Sequence, residues 1–429
     1  MAKIKPFRAL FYNQEKFKDL SKVTCPPYDI ISPQKQTYLH NLNPYNLIHI
    51  LLGKDSQEEN KYRRAGRYFR EWLKEKILIQ DESSAIYFYS QQYKLKGESR
   101  TRLGFIALLG LPDKEEIVFS HEHTRLEPKE DRLRLLKQVK ANLSPIFVVF
   151  QDTKRIIQRI EQAKIHGKPP FIEIRDDEKN IHKLWRLDSQ DIIGQIQKSV
   201  SAENILIADG HHRYEVAIAY RELMKEKLGS ITGNEDFNYI LAYFTNTEAR
   251  GLTILPIHRL VRLSYAMDNQ ELLSSLGDYF DAEEVKDKTR FFFLMEKGGR
   301  SEHLIGMYKE KRLWLLRLKN VKLLDKLLMD KAKEYRPLDI SILNQIILKN
   351  ILKLDLEDKE NIIFSPNHQE IIECVDTNPN YIAFLLNPVK IQQVMGVALK
   401  GERMPSKSTY FYPKVLSGLV INKFNEAKI

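Results

Sequence analysis

Apolar positions along the chain alternate between two periods, and the alternation predicts a mixed α/β protein. Tyr62, Phe69, Trp72 and Leu73 are spaced like the inner face of a helix, which predicts one over about 55–78. Residues 85–93 (AIYFYSQQY) and 101–111 (TRLGFIALLGL) are strand-prone runs on either side of Lys96-Gly97-Glu98-Ser99, which predicts a hairpin. A helix is expected at about 127–141 and a buried strand at 145–150. The middle of the chain reads as a helix at 188–200, a short buried strand at 204–208, a tight turn, a strongly periodic helix at 214–227 and a strand at 239–245. The last third predicts a second hairpin, 290–295 and 303–308 around Gly298-Gly299, then two helices within about 321–353. A strand at 381–386, a helix, and a tail at 401–414 with little helical pattern close the chain. No repeat of 20–50 residues and no Pro-rich or Gly/Ser linker is evident. Three regions are expected: an N-terminal α/β region at 1–150 contributing to an active-site cleft, a core segment at 151–260, and a C-terminal α/β region at 261–429.

Composition removes several function classes. Hydrophobic residues make up 43% and charged residues 29%, and 20 Phe, 20 Tyr and 3 Trp supply ample core, so disorder is not expected as the main state. The longest apolar runs fall far short of the roughly 20 residues a bilayer span needs. The start, MAKIKPFRALFYNQ, lacks the apolar stretch of a secretory signal. Cys25 and Cys374 make neither a disulfide framework nor a CxxC site, so a reducing cytoplasm is the expected compartment. Lys and Arg number 68 against 57 Asp and Glu, a net charge of +11, which raises nucleic acid or small anions as partners. The excess is dispersed, however. Its densest stretch, 61–76, is interrupted by Glu71 and Glu75 and has a helical apolar face, which favours a solvated amphipathic helix over a nucleic-acid patch.

The most informative stretch is Ile207-Ala208-Asp209-Gly210-His211-His212-Arg213-Tyr214-Glu215. A buried strand stops at a glycine, and a helix begins with His-His-Arg in its first turn. First-turn N–H groups lack intrahelical partners and sit at the positive end of the helix dipole, which makes a ready anion site. Gly210 admits positive φ and a close ligand. Arg213 can grip a phosphate bidentately. Basic residues at this end are electrostatically unfavourable, so three in succession ask for an anion. Asp209 can cap the helix, or serve as a general base or metal ligand. No GxxxxGK[ST] loop and no dinucleotide fingerprint is present.

DGHHRYEVA resembles the signature of the DUF1015 family. Pro26-Pro27-Tyr28-Asp29-Ile30-Ile31-Ser32, Asn43-Pro44-Tyr45-Asn46, His121-Glu122-His123-Thr124, Asp131-Arg132-Leu133, Ser144-Pro145-Ile146-Phe147 and the stretch from Met404-Pro405 through Lys407-Ser408-Thr409 to Phe411 agree with it, over about residues 5–420. The Asp-Gly-His-His-Arg string is also similar to the phosphate-binding motif of the ParB/sulfiredoxin superfamily, whose free-serine kinases carry the same string. That resemblance implies a ParB/sulfiredoxin-like core with hairpin-rich additions. It implies phosphoryl transfer from ADP or ATP, with Mg²⁺, to a hydroxyl of a small metabolite, free L-serine first. It places Asp209 by the reacting hydroxyl or the metal, and Gly210, His211, His212 and Arg213 on phosphate. Asp29 answers, by order along the chain, to an acidic residue of an early loop in those kinases.

Other groups stay open between readings. His121 and His123, at i and i+2, would share one face of a strand, where they can bind metal, bind phosphate with Arg125, or belong to a polar loop. Arg132 can reach an anion or make an ion pair. Lys407, Ser408 and Thr409, with Lys414 nearby, can wrap phosphate oxygens or form a buried terminal strand. His258-Arg259 can sit near the pocket or be structural. Two alternatives to a kinase follow: a ParB-like nucleotide-binding regulatory or nucleic-acid-associated protein, and a metal-dependent hydrolase using His121, His123 and Asp209.

Overall fold

The computed structural model describes residues 1–112, 118–122, 126–229, 231–263, 268–299, 301–356 and 361–425. The fold is mixed α/β, in two compact units. One unit takes the described residues of 1–120, 124–252 and 413–429, and the other those of 121–123 and 253–412.

The first unit is built on a nine-stranded mixed sheet. Its order runs Val118–Ser120, Ile205–Asp209, Ile146–Phe150, Tyr239–Asn246, Glu98–Gly110, Ile86–Leu95, Ile181–Leu187, Ile172–Arg175, with Ile4–Lys5 added along the end of Glu98–Gly110. The first hairpin forms as the sequence predicts, its two-residue turn at Lys96 and Gly97, both with positive φ. Val148, Phe150, Ile205, Ile207, Ala242 and Phe244 pack on one face against the helices Ile156–Ile160 and Gln190–Val200. Phe105 and Phe244 stack at 4.9 Å in this layer. The helix His211–Leu228 divides its contacts. Tyr214 and Ala217 join this core, and Val216 and Tyr220 join a second cluster with Leu136, Phe237 and Phe424. The amphipathic helix expected near 55–78 spans Lys61–Lys74 and buries Phe69 and Trp72.

The second unit carries a six-stranded antiparallel sheet, Phe280–Glu284, Arg312–Leu318, Leu304–Lys309, Tyr381–Leu385, His258–Arg262, Ile362–Ser365. Here the expected second hairpin is corrected. The run Lys288–Gly298 is a helix, with Asp287 as N-cap accepting from the Arg290 N–H. Phe291 and Met295, one turn apart, are buried, and Phe293 is exposed, so the apolar run has a helical face after all. A short apolar run flanked by glycine does not by itself separate strand from helix. The hairpin lies one step later, Leu304–Lys309 with Arg312–Leu318, turning at Glu310 and Lys311, both at positive φ. The two helices expected within 321–353 are broken into Leu323–Leu327, Asp339–Ile342 and a wider turn at Leu343–Ile351. Among the described residues no helix is long and apolar enough to cross a membrane.

One close approach tests the sheet of the first unit. A Cβ at Gly104 would lie 2.1 Å from the Phe244 carbonyl oxygen and 2.5 Å from the Tyr243 ring. Gly104→Ala must therefore push two paired strands apart. Overpacking of this kind costs about 1–3 kcal/mol. The expected outcome is a lower urea midpoint, and an unchanged midpoint would show that these strands yield freely.

Candidate functional site

The site expected from the sequence begins where a buried strand meets a helix. Ile205, Leu206, Ile207 and Ala208 are buried, and the strand ends at Asp209 after a register shift against Ile146–Phe150. Gly210 follows with φ 92° and ψ 27°, the left-handed region. A Cβ there would stand 3.0 Å from the Arg213 guanidinium and 3.0 Å from Ile146, so both backbone and space require glycine. The helix starts at His211. No side chain caps it, and its first turn holds no acidic residue. His211 is buried, and His212 and Arg213 are half-buried.

Asp209 is held between two cations. Its Oδ2 accepts from Arg213 Nη2 at 3.0 Å, and its Oδ1 accepts from Lys414 Nζ. Arg213 Nη1 donates to the Pro145 carbonyl, and its Nε is buried without a hydrogen-bond partner among the described residues. Burial by itself would raise the Asp209 carboxyl. Lys414, Arg213 and then His211 outweigh it and hold the group at about 2, below its ordinary 3.8. Asp209 is thus ionised at neutral pH and a weak base while both ion pairs stand. Among the described residues Asp209 is the carboxylate bonded to both Lys414 and Arg213, and it stands at a helix N-terminus.

The early Pro-Pro-Tyr-Asp turn reaches the same region, through Tyr28 rather than Asp29. Tyr28 and Arg213 line a small cavity of about 60 Å³ together with Arg132, Ser144 and Val216. Burial and the Asp29 carboxylate push the Tyr28 hydroxyl up to about 12, against the opposing pull of Arg132 and Arg213. Asp29 is exposed on the short turn Tyr28–Ile30. Arg132 is buried over the Tyr28 ring at 4.4 Å. It donates to Asp131 Oδ2 at 2.7 Å and to the Leu51 carbonyl at 2.6 Å, and Tyr62 donates to Asp131 Oδ1. Its place is that of a buried ion pair beside the cavity.

Lys414 is an ion-pair partner of Asp209 that the sequence did not attach to it. Its segment leaves the second unit at Tyr412 and is fixed in the first by many bonds. Arg102, fully buried, donates to the Pro413 carbonyl at 2.5 Å, and Gln91 Nε2 donates to the Lys414 carbonyl at 2.9 Å. Cys25 and Ser417 exchange backbone bonds, and the Ser144 and Ser417 hydroxyls lie 2.6 Å apart. The only signal in the sequence was a lysine in a tail of little helical pattern.

The remaining candidates gather in the second unit, where residues almost three hundred positions apart meet. His121 is fully buried, its Nε2 3.0 Å from Thr409 Oγ1. Glu122 Oε1 accepts from the Lys407 N–H at 3.0 Å, and the His121 carbonyl accepts from the Met404 N–H. The Ser408 hydroxyl donates to the Pro405 carbonyl. Lys407 has an exposed side chain and a left-handed backbone, φ 58°. His123 and Arg125 lie outside the described residues. Among the described residues no three His, Cys, Asp or Glu gather as a metal site. Asp209 does not fit Mg²⁺ as arranged, since each of its carboxylate oxygens already faces a cation.

The chain belongs to the family described as "Protein of unknown function (DUF1015)", whose profile matches residues 4–341. No curated protein matches it. Among solved structures it is similar to a free serine kinase variant in complex with ADP, at 12% identity over 73% of this chain and 91% of that one, TM-score 0.34. It is also similar to a C-terminally truncated SbnI from Staphylococcus aureus, at 12% identity over 73% and 85%, TM-score 0.36. A conserved hypothetical protein from Pyrococcus furiosus matches at 12% over 73% and 92%, TM-score 0.32.

The Asp209 ion pairs make stability depend on acid. The folded pKa lies below the unfolded one, so the ionised carboxylate contributes stability that is complete above about pH 5. That contribution is lost as pH falls through 3.8 towards about 2. Asp209→Asn leaves two buried cations without their carboxylate and should cost up to about 3–5 kcal/mol at pH 7. The gap between parent and variant should narrow steadily from pH 5 to pH 3 in urea titrations. A gap of constant size would show that the carboxylate is not held by these cations.

Proposed function

We propose that this member of the DUF1015 family is a nucleotide-dependent phosphotransferase acting on a hydroxyl of a small metabolite. The observation that carries the reading is the gathering of two cations, Lys414 and Arg213, on Asp209 at the start of the helix His211–Leu228, which no side chain caps. Such a terminus suits the terminal phosphate of ADP or ATP, with N–H groups of the first turn and the side chains of His211, His212 and Arg213 around it. Gly210 keeps that approach open. Free L-serine is the first acceptor to test, on the strength of the Asp-Gly-His-His-Arg string alone.

In this reading the ligand rearranges the charge. Phosphoryl transfer passes through a loose transition state whose charge is spread over the phosphoryl oxygens, so positioned cations do most of the work. A bound phosphate draws Lys414 and Arg213 towards itself. Asp209 loses the partners that depress it and becomes a stronger base beside the acceptor hydroxyl. The hydroxyl oxygen bonds to the terminal phosphorus, the bond from that phosphorus to the leaving nucleotide breaks, and the hydroxyl proton passes to Asp209. Coupling base strength to phosphate occupancy would keep the carboxylate inactive in the empty site.

The test begins with thermal shifts in ADP, ATP and CTP, with and without Mg²⁺ and L-serine. A nucleotide at 100 times its dissociation constant adds about 2.7 kcal/mol of stability. A shift with an adenine nucleotide, enlarged by serine, together with phosphoserine formation, is the expected result. A shift with CTP alone would favour a ParB-like nucleotide switch instead, and no shift with any nucleotide would overturn the phosphate site. Arg213→Ala should weaken nucleotide binding by about 1.5–3 kcal/mol, the scale of a charged hydrogen bond. Asp209→Asn should abolish turnover and leave nucleotide binding measurable. Full activity in that variant would reduce Asp209 to a structural ion-pair partner.

A further inference from the structure

The second unit buries a guanidinium to which no carboxylate is bonded among the described residues. Arg259, on the strand His258–Arg262, is 1% exposed. Its Nη1 donates to the Ile257 carbonyl at 2.6 Å, and its Nη2 to the Lys407 carbonyl at 2.9 Å and, weakly, the Ser406 carbonyl at 3.4 Å. Its Cζ lies 4.6 Å over the Phe364 ring. Burial pushes the guanidinium well below its ordinary pKa, and the Glu122 carboxylate, which bonds the Lys407 N–H rather than Arg259, opposes the shift only in part. A charge taken out of water without a bonded counter-charge costs several kcal/mol, and carbonyl dipoles and a ring face offset only part of that.

Beside Arg259 lies a cleft of about 220 Å³, larger than the cavity of about 150 Å³ that accepts benzene in another protein. Among the described residues no acidic side chain lines it, and Arg259 is the one charged side chain on the described wall. The wall divides into two halves. One is apolar, from Leu348, Ile362 and Phe364. The other is polar and includes the amides of Asn344 and Gln345, neither of which makes a side-chain hydrogen bond to the described residues. A buried cation with one long hydrogen bond, two spare amides and an apolar wall together select a ligand with one anionic end and one greasy end.

We propose that this cleft binds a small monocarboxylate with an apolar body, its carboxylate on Arg259 Nη2 in place of the long bond to Ser406. Asn344 and Gln345 supply the remaining hydrogen bonds, and Phe364 and Ile362 cover the apolar body. Inorganic phosphate lacks the apolar part, and an amine of the same shape carries the opposite charge.

Calorimetric titration of the full chain with acetate, hexanoate and phenylacetate tests this, with phenethylamine and inorganic phosphate as controls. Hexanoate or phenylacetate should bind at one site per chain, at least tenfold more tightly than acetate, phosphate or the amine. Gln345→Phe fills the cleft without touching the three carbonyls bonded by Arg259, and should weaken binding at least tenfold while leaving the nucleotide-induced thermal shift as in the parent. Arg259→Met should abolish it, and if that variant fails to fold, the Gln345→Phe comparison decides. No binding by any carboxylate, or binding unchanged in Gln345→Phe, would overturn the proposal and leave Arg259 as a clamp on the Ser406–Lys407 backbone. Equal binding of phosphate and phenylacetate would overturn it in favour of an unselective anion site.

Discussion

An ionised carboxylate at the end of a buried strand cannot stand alone, and much of the first unit is arranged around giving Asp209 its counter-charges. Arg213 comes from the next turn of the same chain and is cheap to place, because a residue four positions on in a helix start lies beside the strand end. Lys414 is more than two hundred residues away. Bringing it back requires the last segment of the chain to cross into the first unit and be fixed there. The backbone pairings of Cys25 with Ser417, Leu10 with Ile421 and Asn142 with Asn422 do that fixing. One lysine contact is therefore bound up with the path of the whole C-terminus.

The floor under that contact is polar and buried. Arg102 lies over Phe147 at 4.5 Å, bonds Gln91, and holds the Pro413 carbonyl one residue before Lys414. Alongside runs a buried chain in which the Tyr89 hydroxyl sits 2.6 Å from His182 Nδ1, with His182 Nε2 3.0 Å from Asp176. Burial raises the Tyr89 hydroxyl, so it keeps its proton and donates to Nδ1. The Nε2 proton then goes to Asp176. Every member has a partner, and a fully satisfied network of this kind holds its atoms more rigidly than an apolar core would. That floor fixes the Pro413–Lys414 backbone from which the Lys414 ammonium reaches Asp209.

Local chemistry was the part of this architecture legible in the sequence. The strand, glycine and helix at 205–228 formed as read, because a buried β-branched run, a residue free to take positive φ and an amphipathic period all act within a few residues. The Lys96-Gly97 hairpin succeeded for the same reason. The run at 288–298 failed because Phe291-Phe292-Phe293-Leu294-Met295 satisfies strand and helix alike until Asp287 is seen as a cap. What local pattern could not show was pairing over distance. Lys414 on Asp209, Thr409 on His121 and Lys407 on Glu122 each join segments that the sequence leaves far apart. Nor could it show that the early turn presents Tyr28 to the cavity and leaves Asp29 exposed, since either side chain of a short turn can face inward.

Two of the buried arginines, Arg132 and Arg259, differ in a way that bears on the proposed cleft. Arg132 has its carboxylate next door in Asp131, and that pair is complete without any ligand. Among the described residues Arg259 bonds carbonyls and lies over a ring, with the Glu122 carboxylate acting on it without a bond. In the sequence the two looked alike, each a basic residue beside an apolar run. Burial separates them, because water no longer supplies the missing half of the interaction. A paired buried arginine spends its charge on the fold. One without a bonded carboxylate retains an unmet electrostatic demand, and a cleft beside it is where that demand can be met.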